Sequence, residues 1–139
     1  MEKAPETIID LLKKDEKILS LFIEHRVLFA YLFGSHATGR SGKTSDIDLA
    51  LHFSEEKNEQ ERFEGKLILG SKLASILGKE VEIVVLNDAK NNYLLADILR
   101  DGLLIFDRSE DQRFLFETET GHRVIDFLTH SNHVSANSR

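Results

Sequence analysis

Two carboxylates stand at a spacing that could bind metal ions. Asp46 and Asp48 are separated by one residue in the segment DIDLALHF, whose alternating apolar and polar residues predict a strand. Because side chains alternate along a strand, both carboxylates are expected on the same face. Their mutual repulsion would be relieved by a divalent cation, and hard cations such as Mg²⁺ prefer carboxylate and phosphate oxygens. The pair is therefore a candidate magnesium site.

A Gly-Ser pair upstream could bind phosphate. Gly34 and Ser35 follow the apolar run VLFAYLF, which predicts a buried strand, and ten residues separate Ser35 from Asp46. Glycine permits a sharp turn and a close approach of the backbone. A short helix starting at Ser35 would direct free N–H groups toward an anion. Gly34 and Ser35 are therefore predicted to bind a phosphate group.

A third carboxylate is expected from a neighbouring strand. The segment VEIVVL predicts a strand in which Glu82 lies between Val81 and Ile83, and an acid inside an apolar strand is costly unless it is paired or metal-bound. Glu80 would lie on the same face, but at the entry of the strand, where water solvates it. An edge-strand acid paired with a lysine remains the alternative for Glu82, because the sequence does not give the strand order.

The segment SGKTS offers a competing phosphate signal, the end of a P-loop. A P-loop reads G-x-x-x-x-G-K-[ST] and leads from a strand into a helix. Ala37 stands at the position of the first glycine, and a strand is predicted after Thr44. The P-loop is therefore rejected, and Lys43 is kept only as a candidate phosphate contact.

The stretch YLFGSHATGR, followed by SDIDLAL, resembles the nucleotidyltransferase superfamily that includes DNA polymerase beta, whose signature is G-S-x10-D-x-D. The short chain resembles in particular the minimal nucleotidyltransferases, the MntA-like antitoxins paired with HEPN-domain toxins. The resemblance implies a protein adenylyltransferase that uses two Mg²⁺ ions to move AMP from ATP to a hydroxyl group, expected to be a tyrosine, of a HEPN toxin partner.

The resemblance also implies roles for individual residues. Gly34 and Ser35 would hold the β- and γ-phosphates, and Asp46 and Asp48 would bind both metal ions. Glu82 stands where the family usually has Asp, and would bind the catalytic metal ion and help to deprotonate the acceptor.

The sequence departs from the family pattern at two positions. Glu82 is longer than Asp by one methylene, which could shift the catalytic metal ion. Thr38 stands where relatives often have Arg, and Arg40 or Lys43 would have to supply the positive charge. Two other functions therefore stay open: a small-molecule nucleotidyltransferase of the aminoglycoside-modifying type, and a non-catalytic antitoxin that masks its toxin by binding.

The remaining pattern predicts the elements that position these residues. Strands are expected at 27–33, 46–53, 80–86 and 103–107, and helices from Pro5 to about 24, at 56–77 with Gly78 as the cap, at 89–101, and from 109 to about 129. This order predicts an α/β fold with a mixed four-stranded sheet flanked by helices. One nucleotidyltransferase domain is expected over 1–130, followed by a disordered tail over 131–139.

Composition limits the classes of function. The 139 residues suit one domain, and the net charge of −6 argues against stable binding of nucleic acid. The lack of cysteine excludes a disulfide scaffold and a thiolate metal site. Because the apolar runs are too short to span a bilayer and no signal peptide is seen, a cytoplasmic protein without a membrane partner is expected.

Overall fold

The computed structural model describes residues 7–40 and 46–137, with side chains as far as residue 130. The chain alternates helices and strands. In order, the elements are α1 (Ile8–Lys14), α2 (Glu16–Glu24), β1 (Val27–Phe33), α3 (Ser35–Thr38), β2 (Ile47–Phe53), α4 (Glu59–Leu77), β3 (Val81–Val85), α5 (Asn92–Asp101), β4 (Leu103–Asp107) and α6 (Glu110–Asn137).

Within the described residues the strands form one four-stranded sheet in the order β3-β2-β1-β4. β1 is antiparallel to both β2 and β4, whereas β2 and β3 are parallel. The parallel pair needs a crossover, and α4 supplies it. The predicted mixed four-stranded sheet flanked by helices is confirmed, and β3 lies at an edge of that sheet.

Helices cover the two faces of the sheet with separate apolar clusters. On the α4 face, α1, α2 and α4 pack against the sheet, and the largest fully buried side chains include Phe22, Leu49, Phe53 and Leu73. On the α5 face, α5 and α6 pack against a smaller cluster that contains Phe29, Tyr31, Leu95 and Ile98. These names, the α4 face and the α5 face, are used below.

The N-terminal helix predicted as continuous to residue 24 is broken, and that prediction was wrong. Asp15 is extended, with φ −65° and ψ 123°, and it ends α1 and caps α2. Its Oδ1 accepts the N–H of Ile18 at 3.0 Å. A short acidic side chain that bonds the backbone competes with helix continuation and favours a new N-cap. Pro5 lies outside the described residues.

The other helix boundaries follow the expected pattern with shifts of a few residues. Gly78 ends α4 in the left-handed region at φ 69°, as predicted. Asn58 caps α4 through a capping box with Glu61, so the helix begins at Glu59, three residues after the expected start. α6 continues to Asn137, beyond its predicted end near Thr129. The domain limits of 1–130 stay a prediction.

Side chains near the C-terminal ends of β2 and β3 hold the register of this strand pair. The Asn87 amide accepts the N–H of Phe53 at 2.9 Å and donates to its C=O at 3.0 Å. Beside it, Arg62 and Asp88 form an ion pair at 2.6 Å. Since a one-residue slip would turn every side chain to the other face, these bonds help to fix which carboxylates meet.

No described helix is long and apolar enough to cross a membrane.

Candidate active site

The turn after β1 brings backbone against a carboxylate. Gly34 has φ 73° and ψ −154°, a conformation that side-chain-bearing residues rarely adopt. A Cβ built at this position would collide with Oδ2 of Asp48 and would lie 3.3 Å from its Cγ. Gly34 is therefore required both by the turn and by the space that Asp48 occupies.

A single helical turn follows this glycine. In α3, the N–H groups of Ala37 and Thr38 donate to the C=O of Gly34 at 3.1 and 3.3 Å. The first N–H groups of a helix have no partner within it, so α3 itself does not engage the N–H of Ser35. The predicted short helix at Ser35 is confirmed, and a strand rather than a P-loop helix follows, starting at Ile47.

Asp48 and Glu82 are brought together by the sheet. They are register partners on the parallel strands β2 and β3, so their side chains share the α5 face. The neighbours Ile47 and Leu49 are fully buried on the opposite face, as the alternation predicted. The sequence pattern therefore placed Asp48 correctly.

The electrostatics at Asp48 favour a cation. Burial raises the pKa of the Asp48 carboxyl, and the negative charges of Glu82 and Asp46 raise it further, while His36 partly offsets them. Burial and the two neighbouring negative charges all oppose an isolated negative charge at this position. A divalent cation would remove that opposition, so the donor set suits a hard metal ion.

The predicted set of three carboxylates is only partly assembled. Asp46 immediately precedes β2 and is exposed. Among the described residues, no three His, Asp or Glu side chains are grouped closely enough to hold a metal ion as they stand. The three-ligand site therefore stays a prediction, and the Asp48–Glu82 pair is the part of it that the sheet brings together.

The reason given for Glu82 was wrong, although its position suits the site. The sequence argument assumed a buried acid, but Glu82 is exposed because β3 is an edge strand. Water can solvate the carboxylate there, so no burial cost demands a partner. Its relevance comes from lying opposite Asp48. Lys43, the remaining predicted phosphate contact, lies outside the described residues.

Two cavities meet at this site. One, of about 590 Å³, is lined by Asp48, Glu82 and Lys66 together with parts of α4 and β3. The other, of about 360 Å³, is lined by Gly34, Ser35, Thr38, Arg40 and three polar residues of α5. Phe33 and Leu94 line both cavities. The carboxylate pair and the Gly-Ser turn therefore open onto adjoining space of a size suited to a small ligand.

Positive charge around the Gly-Ser turn is limited. The Thr38 hydroxyl is turned toward the backbone, 3.4 Å from the C=O of Gly34, and adds no charge. Arg40 is exposed at the cavity rim. Arg100 of α5 also lines this cavity, but its guanidinium pairs with Asp97 and Asp101 at 3.0 and 2.9 Å. Arg40 is therefore the described cation best placed to replace the missing family arginine.

Sequence reasoning missed Lys66, Leu94 and Arg100 as lining residues. They belong to α4 and α5, on helices far from the motif in sequence. Their helical spacing marks them only as surface or packing positions. The one available signal was that α5 directly follows the strand that carries Glu82, which places its first turn near the carboxylates.

Comparisons with known proteins agree with this geometry. The family profile described as "Polymerase beta, Nucleotidyltransferase" matches residues 6–111. A relative from Methanocaldococcus jannaschii that carries the name protein adenylyltransferase is 33% identical over 99 residues, which is 71% of this chain and 95% of that protein. The protein adenylyltransferase MntA of Shewanella oneidensis is 30% identical over 108 residues, covering 76% of this chain and 73% of MntA.

Solved structures share the fold. A crystal structure of a toxin–antitoxin with AMP-PNP aligns with a TM-score of 0.69 and 25% identity, covering 88% of this chain and 95% of that chain. The tri-AMPylated Shewanella oneidensis HEPN toxin in complex with MNT antitoxin aligns with a TM-score of 0.66 and 22% identity, over 94% and 98% of the two chains. At that identity the second likeness shows the fold alone.

Proposed function

Because this chain belongs to the polymerase beta nucleotidyltransferase family, we propose that it transfers AMP from ATP to a hydroxyl group of a HEPN-domain toxin and thereby acts as an antitoxin. The observation that carries the proposal is the register pair Asp48–Glu82, which lines one of two adjoining cavities, with Asp48 packed against Gly34 at the turn that lines the other. The resemblance to MntA, a protein adenylyltransferase, supports a protein as the acceptor.

The Gly-Ser turn is the proposed binding site for the triphosphate. The backbone N–H and the hydroxyl of Ser35 would donate to the β- and γ-phosphates, and Gly34 allows the phosphates to approach the backbone. Lys43 and Arg40 would add positive charge from the following loop.

The carboxylates are the proposed ligands of two Mg²⁺ ions. Asp46, Asp48 and Glu82 would hold them, and the ions would supply charge neutralisation at the phosphates and at the reacting oxygens. The residues fit this group for two reasons: burial and the negative charges of Glu82 and Asp46 raise the pKa of Asp48, which a cation would counter, and the register pairing of Asp48 with Glu82 supplies the carboxylate oxygens that Mg²⁺ prefers.

The proposed chemical step is a substitution at the α-phosphorus. The acceptor oxygen forms a bond to that phosphorus, the bond to the bridging oxygen of the β-phosphate breaks, and pyrophosphate leaves. The acceptor proton passes to the Glu82 carboxylate, whose exposure at the sheet edge leaves it accessible to a macromolecular substrate. A tyrosine hydroxyl, with a pKa of about 10, needs such activation near neutral pH.

A label-transfer experiment tests the proposal. The protein is incubated with α-labelled ATP, Mg²⁺ and lysate of its host, beside the variants Asp48→Asn and Glu82→Asp. We expect label on one discrete protein, a loss of at least about 10³-fold in Asp48→Asn, and retained transfer in Glu82→Asp, which restores the usual family residue. Chelation of Mg²⁺ should abolish transfer in every sample.

Other results would favour other functions. Label found only in small molecules would point to a nucleotidyltransferase of the aminoglycoside-modifying type. Absence of label, with toxin neutralisation that survives Asp48→Asn, would point to an antitoxin that acts by masking. The exposed Glu82 and the incomplete grouping of carboxylates are the observations that favour this second candidate.

The proposed reaction belongs in the cytoplasm, where ATP is abundant. The HEPN toxin is the proposed stable partner, and the net charge of −6 supports binding to protein rather than to nucleic acid.

A further inference from the structure

We propose that the acceptor protein binds as an extended segment along the outer edge of β3, which places its hydroxyl side chain beside Glu82. This inference rests on the proposed function and adds to it the conformation and the docking surface of the acceptor. The docking surface, called the β3 groove below, consists of the β3 edge with its walls on α4 and α5.

The outer edge of β3 offers backbone groups for a further strand. β3 pairs only with β2 in the described sheet. The C=O of Glu80 accepts the N–H of Ile47 at 2.9 Å, and the N–H of Leu86 donates to the C=O of Leu51 at 2.8 Å. In a parallel ladder, successive residues direct their backbone groups alternately to the two sides of the strand. In the described part of the chain, no hydrogen bond engages the outward N–H groups, whereas the outward C=O of Val85 accepts the N–H of Asp88 at 3.1 Å. The outward residues are Val81, Ile83 and Val85.

A cavity lies along the β3 edge. The cavity that contains Asp48 and Glu82 is also lined by Ile83, which belongs to the α4 face, and by Gly70 and Ser71 of α4. The cavity therefore reaches the β3 edge from both faces of the sheet, while Gly70 of α4 approaches the start of that edge: a Cβ built on Gly70 would lie 3.6 Å from the C=O of Val81. An adjoining cavity of about 330 Å³ continues the groove along Val85 toward the start of α5.

The walls of the β3 groove are apolar and exposed. Phe63 and Leu67 of α4 are 56% and 55% exposed, and each lines one of the two cavities. Large exposed side chains of this kind at an open edge are typical of a surface that binds a partner. Lys66 lines both cavities and forms no ion pair in the described part of the chain. Lys66 can therefore pair with an acidic residue of a segment whose apolar residue contacts Phe63 or Leu67, within a lining that also holds Glu59, Asp88 and Lys90.

The spacing of strands places the acceptor within reach of the carboxylates. Neighbouring strands lie about 4.8 Å apart, so a segment added to β3 would run about 10 Å from β2. A residue of that segment opposite Glu82, on the same face, would lie one strand beyond the Asp48–Glu82 pair. A tyrosine side chain is long enough to bring its hydroxyl back to Glu82. Main-chain bonds would supply affinity, and alternate side chains specificity, as in other strand additions.

The first test measures binding without nucleotide. The full chain is used to select from a displayed library of short linear peptides that carry a central tyrosine, and the enriched peptides are titrated against two double variants. We expect at least 10-fold weaker binding to Phe63→Ala/Leu67→Ala, and a change within about twofold for Phe114→Ala/Leu115→Ala. The second pair is the matched control, because Phe114 and Leu115 of α6 are 68% and 48% exposed and lie outside the groove.

Hydrogen exchange distinguishes an added strand from a peptide that binds only through apolar side-chain contacts. A bound strand should slow exchange at the outward amides of Val81, Ile83 and Val85 and leave the amides of α6 unchanged. Enriched peptides are also expected to be rich in β-branched residues and to carry an acidic residue near the tyrosine.

The outcomes separate this inference from the proposed function. Peptides that bind the β3 groove but receive no label from α-labelled ATP would contradict AMP transfer and leave the docking surface intact. Failure to enrich any peptide over the Phe63→Ala/Leu67→Ala variant, or unchanged exchange in β3, would overturn the docking surface. Self-association of the chain that is lost in this variant would also overturn it, because a second copy would then be the occupant.

Discussion

The α4 face and the α5 face of the sheet use the same four strands for different purposes. On the α4 face, apolar side chains of helices and strands are buried completely, including Phe22, Leu49 and Leu73. On the α5 face, titratable side chains stand among the apolar ones: burial is the largest cause of the raised pKa values of Asp48 and Tyr31 and of the lowered pKa of His52. The comparison indicates that the α5 face, although it also buries Phe29 and Leu95 completely, differs from the α4 face in holding a carboxylate whose charge opposes stability.

Adjacent residues of β2 offer the sharpest test of this comparison. Leu49→Ala should lower the free energy of unfolding by about 2–5 kcal/mol, because it removes packed methyl groups and leaves a cavity. Asp48→Asn, one residue away on the opposite face, should leave that free energy unchanged or raise it, because it removes a charge that burial and Glu82 oppose. Denaturant unfolding of both variants measures the difference. A comparable loss in the two would show that the α5 face also carries much of the stability.

The next prediction concerns the contact between the turn and the strand on the α5 face. Gly34→Ala should cost about 1–3 kcal/mol, because it adds the collision with Asp48 to the strain of a positive φ. Gly78→Ala is the matched control, because its φ is 69° and no atom lies within 4 Å of the added Cβ. The strain of the positive φ alone should lower its free energy of unfolding, by about 1 kcal/mol.

A second substitution identifies the source of the Gly34 effect. Asp48→Ala in the Gly34→Ala background should recover part of the lost stability, since the colliding carboxylate is then absent. In the Gly78→Ala background the same substitution should give only the change that it gives in the parent chain. Equal losses at the two glycines, or no recovery, would mean that the turn does not press against Asp48.

Much of this architecture could be predicted because it depends on local pattern. The run from Val27 to Phe33 and the alternation after Asp46 are properties of a few neighbouring residues, and both became strands as expected. The Gly-Ser turn could be predicted for the same reason, since its spacing to the acid pair is fixed along the chain. The break at Asp15 was missed because helical periodicity continues across it. The hydrogen bond from the N–H of Ile18 to the Asp15 side chain ends one helix and begins the next, and it competes with the backbone bonds of a continuous helix at similar energy.

What could not be predicted depends on strand order. Glu82 was expected to be buried because its sequence neighbours are apolar, yet its exposure is set by the position of β3 at the sheet edge. Lys66 and Leu94 line the site through helices that only the tertiary fold brings to that edge. The roles of Asp46, Ser35 and Lys43 stay predictions, because the position of a side chain does not by itself show what it binds.

A pH dependence should also distinguish the faces. The His52 ring lies against Phe29 and Phe116 on the α5 face, with ring centroids 4.8 and 5.5 Å away, and burial lowers the pKa of this imidazole. The folded state therefore favours neutral His52, while the unfolded state takes up a proton below about pH 6.5. This contribution to stability is complete above that pH and is lost as the pH falls toward the lower pKa of the folded state.

Unfolding at pH 7.5 and 5.5 measures this effect. The slope attributable to His52 cannot exceed about 1.4 kcal/mol per pH unit. His52→Phe should reduce the slope, although His25, whose pKa burial also lowers, would retain its own share. The negative charges of Glu55 and Asp88 raise the pKa of His52 and so oppose the effect of burial, whereas Arg62 lowers that pKa; neutralising either carboxylate should therefore increase the slope. An unchanged slope in His52→Phe would show that the ring is solvated in the native protein.

The smallest expected effects come from two helix caps, and they separate stability from activity. Asp15 accepts the N–H of Ile18 at 3.0 Å to cap α2 on the α4 face, and Asn91 accepts the N–H of Leu94 at 3.2 Å to cap α5. Each substitution by Ala should cost about 1 kcal/mol of unfolding free energy. Only Asn91→Ala loosens the turn that holds Leu94 beside both site cavities, so it alone should lower AMP transfer several-fold per folded molecule. Denaturant unfolding and steady-state label transfer, measured on the same preparations, would reveal this difference. Equal transfer by the two variants would mean that the first turn of α5 covers the core and takes no part in the site.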